Sequence, residues 1–268
     1  MATLGRRARQ RRRNEYMLGA VILLAVLAVL GGVVYMTVSR PKGLNPETLC
    51  PAEGPLGHYV LLVDKTDPLN FTQKQAFSVI IKELIEKRVS EGYLLSVFAL
   101  GEDFKENATP LVELCNPGDG SNKSEFSANP QKLRAQYQAK FVEPLLKLSE
   151  SLVASQPAKW SPIFEMLQLV GINGYRHHGV KGERRLIIVS DMLQNTTQFT
   201  MYKGPVDYSN FSGSVYGKKA QPELTDVSVE LHYLMNSPQL QTKRNTMFWE
   251  EYFSKAGARI VAVRPLEG

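Results

Sequence analysis

Hydrophobic positions in this chain form one long uninterrupted run near the amino terminus and a series of short runs further along. Residues 17–38 contain no charged side chain, and roughly 20 apolar helical residues are enough to cross a membrane. A cleaved signal peptide, the alternative, requires a small-residue cleavage site, and residues 34–38 (VYMTV) offer none. We therefore predict a single uncleaved transmembrane helix.

Basic residues flank this apolar run unequally. Six arginines precede it, whereas the segment that follows supplies only Arg40 and Lys42. Basic flanks are retained on the cytoplasmic side. We therefore expect a cytoplasmic tail (residues 1–16), a transmembrane helix (17–38), a linker (39–57) and an exported domain (58–268). The protein is then a single-pass protein of the cell inner membrane, with a periplasmic or otherwise extracytoplasmic carboxyl-terminal domain.

The net charge of +6 belongs to the amino-terminal segment. Its arginines, with Arg40 and Lys42 and after subtraction of Glu15, account for all of it, so the exported domain is close to neutral. A neutral domain lacks the basic surface that binds phosphate backbones. We expect contact between the tail and the anionic lipid of the bilayer, and no nucleic-acid partner.

Short apolar runs alternate with amphipathic stretches throughout the exported domain. We predict buried strands at five such runs, residues 59–63, 93–100, 185–189, 227–234 and 259–263. The shorter segment 110–115 predicts an edge strand that pairs back as a hairpin. Helix starts are indicated by Thr72 with Gln75, Asn129-Pro130, Ser161-Pro162 and Ser237-Pro238. The alternation predicts an α/β fold, a doubly wound and mostly parallel sheet with one antiparallel edge strand.

Two acids, Asp64 and Asp191, each follow directly after an apolar run. Carboxyl ends of parallel strands meet at one edge of a sheet, where ligands bind in doubly wound folds. Residues 64–68 (DKTDP) and 188–191 (IVSD) resemble the von Willebrand factor type A family, which has Asp-x-Ser-x-Ser after its first strand, a Thr opening a later helix and an Asp after its fourth strand. Here Thr66 stands for the first serine, Pro68 replaces the second, and Ser161 is similar in position to the threonine.

The resemblance implies a divalent metal site at this edge, formed by Asp64, Thr66, Ser161 and Asp191. Carboxylate and hydroxyl oxygens suit the hard cations Mg²⁺ and Mn²⁺. A structural explanation exists for the two hydroxyls: Ser161 has the position of a helix cap, and Thr66 that of a turn residue.

The family's topology also bears on Cys50 and Cys115. If residues 110–115 run antiparallel, Cys115 lies at the end of the sheet where the first strand begins, within reach of Cys50. An exported domain lies in an oxidising compartment. We therefore predict a disulfide between them, the alternative being two buried thiols.

A long segment, residues 193–224, has too little periodicity to predict a helix, and it borders the edge that carries Asp191. Loops of this length are usually functional or disordered. Its aromatic residues are either a surface for a protein partner or a lid that folds inward; they are Phe199, Tyr202, Tyr208, Phe211 and Tyr216. His177 and His178 lie in a basic turn, and we expect them to be solvated rather than to bind metal.

These features favour a recognition or scaffold module of a membrane-associated assembly, without enzymatic activity of its own. The alternative is a metal-assisted phosphoesterase-like hydrolase that uses Asp64 and Asp191, although no phosphate-binding loop, nucleophile elbow or H-E-x-x-H motif occurs. A third possibility is a degenerate structural domain whose edge binds nothing.

Overall fold

The computed structural model describes residues 3–38, 43–121, 129–154 and 156–267. The chain forms two compact units, Met1–Gly43 and Leu44–Gly268. The first consists of helix α1, Thr3–Val38. Its segment Tyr16–Tyr35 has a mean hydropathy of 2.8, and it is the one stretch of the described chain that is long and apolar enough to cross a membrane. The arginine side chains of the tail, Arg40 and Lys42 lie outside the described residues.

The second unit is built on a six-stranded sheet with the order β3-β2-β1-β4-β5-β6. Strand β3 is antiparallel to β2, and every other pairing is parallel. This topology confirms the predicted fold class and its antiparallel edge strand. The strands are β1 His58–Asp64, β2 Leu94–Leu100, β3 Val112–Cys115, β4 Arg184–Ser190, β5 Val227–Leu234 and β6 Arg259–Leu266.

Helices cover both faces of this sheet. They are α2 Phe71–Glu83, α3 Pro130–Tyr137, α4 Glu143–Leu152, α5 Ile163–Leu169, α6 Tyr208–Gly213, α7 Val215–Lys219 and α8 Lys243–Lys255. Wider π-helical turns extend α2 (Leu84–Arg88), join α3 to α4 (Gln138–Val142) and extend α5 (Val170–Arg176). Side chains alternate across each strand, so Val60 and Leu62 enter one core with Phe164 and Trp249. Leu61 and Val63 enter the other.

Helix starts were only partly predicted. Asn129 caps α3 and Pro130 is its first residue, as expected. Helix α2, however, is capped by Asn70 with Gln73 and not by Thr72 with Gln75. The prediction that Ser237-Pro238 starts a helix is wrong, because α8 begins at Lys243.

The chain enters the second unit at the end of the sheet where the parallel strands begin. Cys50 and Cys115 form a disulfide, which confirms the predicted pairing. The backbone N–H of Cys115 also donates to the Thr48 carbonyl at 2.8 Å, and Leu44 pairs with Pro51 in an isolated antiparallel bridge. Residues from Leu44 onward are therefore part of this compact unit, although they fall in the segment predicted as linker.

Candidate functional site

Asp64 and Asp191 lie at the carboxyl ends of two central strands of the sheet, a region that we call the acidic edge. Strands β1 and β4 are parallel neighbours with Val63 opposite Val189. Asp64 is the last residue of β1, and Asp191 directly follows the last residue of β4. The Ser190 hydroxyl donates to Asp64 Oδ2 at 2.7 Å and links the two strand ends directly. Both carboxylates are almost completely buried.

The Asp64 side chain organises the turn that leaves β1. Its Oδ1 accepts hydrogen bonds from the Thr66 backbone N–H at 2.9 Å and from the Thr66 hydroxyl at 2.6 Å. Burial raises the pKa of Asp64, and these hydrogen bonds partly oppose that effect. Thr66 therefore has the turn-forming role that the sequence allowed, and its hydroxyl lies beside Asp64.

Asp191 is held by fewer donors. Its Oδ1 accepts from the Leu193 N–H at 2.9 Å, and the Tyr202 hydroxyl lies 3.5 Å from its Oδ2. Burial raises the pKa of Asp191 well above its ordinary value, and the negative charges of Asp64 and Asp67 raise it further. The acidic edge thus brings together carboxylates whose like charges repel one another in a site shielded from water.

Ser161 does not cap α5, which corrects the simpler interpretation of this residue. The helix begins after Pro162 with no side-chain cap from its preceding residue, and the Phe164 N–H donates instead to Gln194 Oε1 at 3.0 Å. The Ser161 hydroxyl is buried and has no hydrogen-bond partner among the described residues. A buried hydroxyl in that state is costly.

Backbone hydrogen bonds hold the segment that contains Ser161 next to the acidic edge. Its segment pairs with Asn195, just beyond Asp191, through hydrogen bonds of 2.8 and 3.0 Å. On the other side, the Ala158 N–H donates to the Thr66 carbonyl at 2.9 Å. The segment 158–161 therefore bridges the turn after β1 and the turn after β4.

The side-chain atoms at this edge that could bind a metal are of the kind that divalent cations such as Mg²⁺ prefer. All are oxygen atoms. Among the described residues, no ion pair involves either buried acid and the Ser161 hydroxyl has no hydrogen-bond partner. Pro68 contributes no side-chain oxygen, and no described group of three or more His, Cys, Asp or Glu is arranged for a metal. A cation here would therefore have few protein ligands and would retain several waters.

The aromatic segment folds inward for most of its length. It contains the two short helices α6 and α7, so the expectation of an irregular loop is wrong. Tyr208 and Phe211 are buried against Phe248, and Phe199 and Tyr216 pack partly buried on the same core. Buried rings offer no surface to a partner, so the inward alternative describes Tyr208 and Phe211, whereas Phe199 and Tyr216 keep part of their surface exposed.

Two aromatic side chains remain exposed at the edge. Tyr202 is 44% exposed, and its hydroxyl reaches Asp191. Phe71, the first residue of α2, is 75% exposed and follows the turn formed by Asp64 and Thr66. Sequence reasoning missed Phe71 because it placed the capping box two residues too late. With Asn70 as the cap, Phe71 is the first helical residue, at the edge of the sheet.

A second polar cluster lies at the opposite end of the sheet. His58 Nε2 is 2.7 Å from Ser96 Oγ, which donates to Glu113 Oε1 at 2.7 Å, and His178 Nε2 lies 2.9 Å from the same oxygen. The pKa of His58 is lowered to about 3, mainly because the imidazole is buried. His178 is thus bound to the hairpin and not solvated as expected, whereas His177 is exposed.

The strand order, the antiparallel edge strand and the acids after the first and fourth strands define a von Willebrand factor type A-like fold. Solved structures similar to the chain include an aerotolerance-related membrane protein from Bacteroides fragilis (9% identity, 78% of this chain, 90% of that chain, TM-score 0.35). Others are the VWA domain of SpRpn10 (9%, 79% and 88%, 0.38) and the human COPII-coat protein Sec24c (10%, 80% and 30%, 0.39). No protein-family model and no curated protein sequence matches.

Proposed function

We propose that this protein is a membrane-tethered recognition module whose exported domain binds a protein partner at the edge carrying Asp64 and Asp191. The proposal is supported by two exposed rings, that of Phe71 at the start of the helix that follows β1 and that of Tyr202, whose hydroxyl lies 3.5 Å from Asp191. No ion pair among the described residues involves Asp64 or Asp191. Aromatic anchors at the centre of an interface supply much of its binding energy. The domain would act as a scaffold component of an envelope-associated assembly.

The disulfide supports the proposed location outside the cytoplasm. Disulfides persist in oxidising compartments, and Cys50–Cys115 joins the segment that follows the apolar helix to strand β3. With the arginine-rich tail retained on the cytoplasmic side, the domain would lie on the periplasmic side of an inner membrane.

A weak divalent site is part of this proposal. Asp64, Thr66, Ser161 and Asp191 would hold Mg²⁺ or Mn²⁺, and the cation would supply a positive centre for a carboxylate of the partner. The unpaired Ser161 hydroxyl and the opposed charges of the two acids support it.

The hydrolase alternative has less support. Asp64 accepts hydrogen bonds from Thr66 and Ser190 and is buried, so it is poorly placed to attack a substrate. Two acids and a hydroxyl also leave no separate base and oxyanion donors. No observation favours turnover over binding, and we propose binding alone.

The test is co-purification of the full-length protein, after mild cross-linking in its native membrane, with Phe71 and Tyr202 both replaced by serine. Proteins recovered with the wild type should be lost, while the far-ultraviolet spectrum and melting temperature remain close to those of the wild type. Val79→Ser is the matched control, because Val79 is an exposed apolar residue two turns further along the same helix. Equal recovery with wild type and the double variant would refute the proposal.

A further inference from the structure

A groove runs along the carboxyl end of β2, beside the acidic edge and distinct from it. Three cavities of about 750, 210 and 630 Å³ follow one another and share lining residues, with Phe104 in all three. The small middle cavity also shares Trp160 with the first and Glu165 with the other large one. The three therefore form one continuous surface feature.

Apolar side chains are exposed along this groove. Leu111 lines one end and Val215 the other, and both are among the exposed large apolar residues of the domain. Phe104 and Trp160, both partly buried, lie between them. Contiguous apolar surface within a groove marks an interaction site more often than scattered exposed residues do.

Carboxylates of the groove lack cationic partners. The groove is lined by Glu102, Asp103, Glu106 and Glu165. Within the described residues, no ion pair involves any of these four, and the lysines that line the cavities are Lys65 and Lys219. Four carboxylates and two lysines give the lining residues of the groove a net charge of −2.

Hydrogen bonds hold the acidic turn between β2 and β3 in place. The Asn107 side chain donates to the Asp103 carbonyl at 3.0 Å, and Asn173 Nδ2 donates to the Ala108 carbonyl at 2.6 Å. At the centre of the groove, Tyr216 donates to Glu165 at 2.7 Å. A preorganised groove loses less conformational entropy on binding than a flexible loop would.

We propose that this groove binds an extended segment of the partner protein in which arginine or lysine alternates with apolar residues. Charge complementarity selects the basic side chains, and a guanidinium can also stack on Trp160 or Phe104. Lys159 already lies 4.8 Å from the centre of the Trp160 ring. An extended chain directs alternate side chains to one face, which suits two larger cavities separated by a small one.

This inference rests on the proposed recognition function and can be tested separately from it. A random twelve-residue phage-displayed library is selected on the full-length protein in phosphatidylcholine nanodiscs, a zwitterionic bilayer that does not itself attract basic peptides, after depletion on empty nanodiscs. The enriched peptides should contain alternating Arg or Lys and apolar residues. Their affinities are then measured by fluorescence anisotropy against the variants.

The combined variant Glu102→Gln, Asp103→Asn, Glu106→Gln should weaken binding about ten-fold, and Trp160→Ala should do the same. The charge-matched control, Glu83→Gln with Glu150→Gln and Glu250→Gln, removes three exposed carboxylates elsewhere and should leave affinity within two-fold. Enrichment without an excess of basic residues, no enrichment over empty nanodiscs, or equal binding to the neutralised variant would each overturn the proposal.

Co-purification separates this inference from the proposed function. If the Phe71 and Tyr202 variant loses the cross-linked partner while the neutralised groove retains it, the groove proposal fails and the recognition function stands. If neither variant loses the partner, the recognition function fails.

Discussion

Replacement of Arg88 should destabilise the compact unit Leu44–Gly268, because Arg88 pairs with a buried carboxylate on the face of the sheet opposite α8. Arg88 donates to both oxygens of Glu230, at 3.2 and 2.6 Å, and the Glu230 side chain is 2% exposed. The neighbouring His232 imidazole and the Arg88 guanidinium lower the pKa of Glu230 to about 2. Arg88→Met removes the bidentate partner and leaves this charge buried.

The expected loss is about 2 to 3 kcal/mol. Breaking a buried pair by removing one partner costs roughly 3 to 5 kcal/mol. Part of that is offset here, because Arg264 and Arg185 remain 3.5 and 3.9 Å from the Glu230 oxygens. The double variant Arg88→Met, Glu230→Gln should recover much of the loss, since no uncompensated charge remains.

Urea unfolding of the full-length protein in a mild detergent, followed by the fluorescence of the fully buried Trp249, measures these changes. Glu230 has a folded pKa below its ordinary value, so its stabilisation is present above about pH 4.5 and is lost as the pH falls toward 2. The difference between wild type and Arg88→Met should shrink over that range. Arg259→Met, at an exposed position of β6, is the control. A loss below about 0.5 kcal/mol, or one independent of pH, would refute the reasoning.

Three further predictions concern other parts of the domain. Replacing Cys50 and Cys115 by serine opens a link between residues 65 positions apart and should cost about 4 kcal/mol by the chain-entropy estimate; reductant should lower the wild-type melting temperature and leave the variant unchanged. His58 stays neutral when folded, so stability should fall from about pH 6.5 toward 3, and His58→Gln should flatten that slope in acid titrations of unfolding. Mg²⁺ at about ten times its Kd should stabilise the wild type by about 1.4 kcal/mol, a rise of roughly 3 to 6 °C for a domain of this size, and Asp191→Asn should abolish the rise; an equal rise in both would place the ion elsewhere.

Strands were predictable because their determinants are local. A run such as YVLLV needs burial on both faces, and only the interior of a parallel sheet provides it. Strand β5 has the predicted bounds, while β1 and β4 extend one residue beyond theirs at each end. The alternation of strands with amphipathic stretches then left few topologies to consider.

The predictions of helix starts were wrong where hydrogen bonds to residues distant in sequence hold the segment. Ser237-Pro238 resembles Asn129-Pro130 in sequence, but Gln241 accepts from the Ser237 N–H and donates to the carbonyls of Asp191 and Leu234. Those bonds hold the segment as a turn before α8. Gln194 likewise displaces Ser161 at the start of α5. Gln241 is only four residues from Ser237, but its partner Asp191 is 50 residues away, and Gln194 is 30 residues from Phe164, so local patterns could not identify these contacts.

The aromatic segment was misjudged for a related reason. Its rings do not repeat with a helical period, because they pack from short helices onto one buried side chain. The Phe164 ring lies 4.6 Å from Phe211 and 5.9 Å from Phe199, centroid to centroid. Only the assembled core reveals that Tyr202 differs from the other four in its exposure.

The groups around the buried acids distinguish Glu230 from Asp64 and Asp191. Glu230 is buried and has arginines and a histidine around it, so its charge is fully explained by the stability of the fold. Asp64 and Asp191 are equally buried, but the donors described around them are backbone N–H groups and neutral hydroxyls, and the charges that act on them are those of other acids. Stability alone would favour replacing one of these carboxylates by a neutral side chain. Retaining both is reasonable if a positive group from outside the chain completes the edge, whether a cation or a basic side chain of a partner.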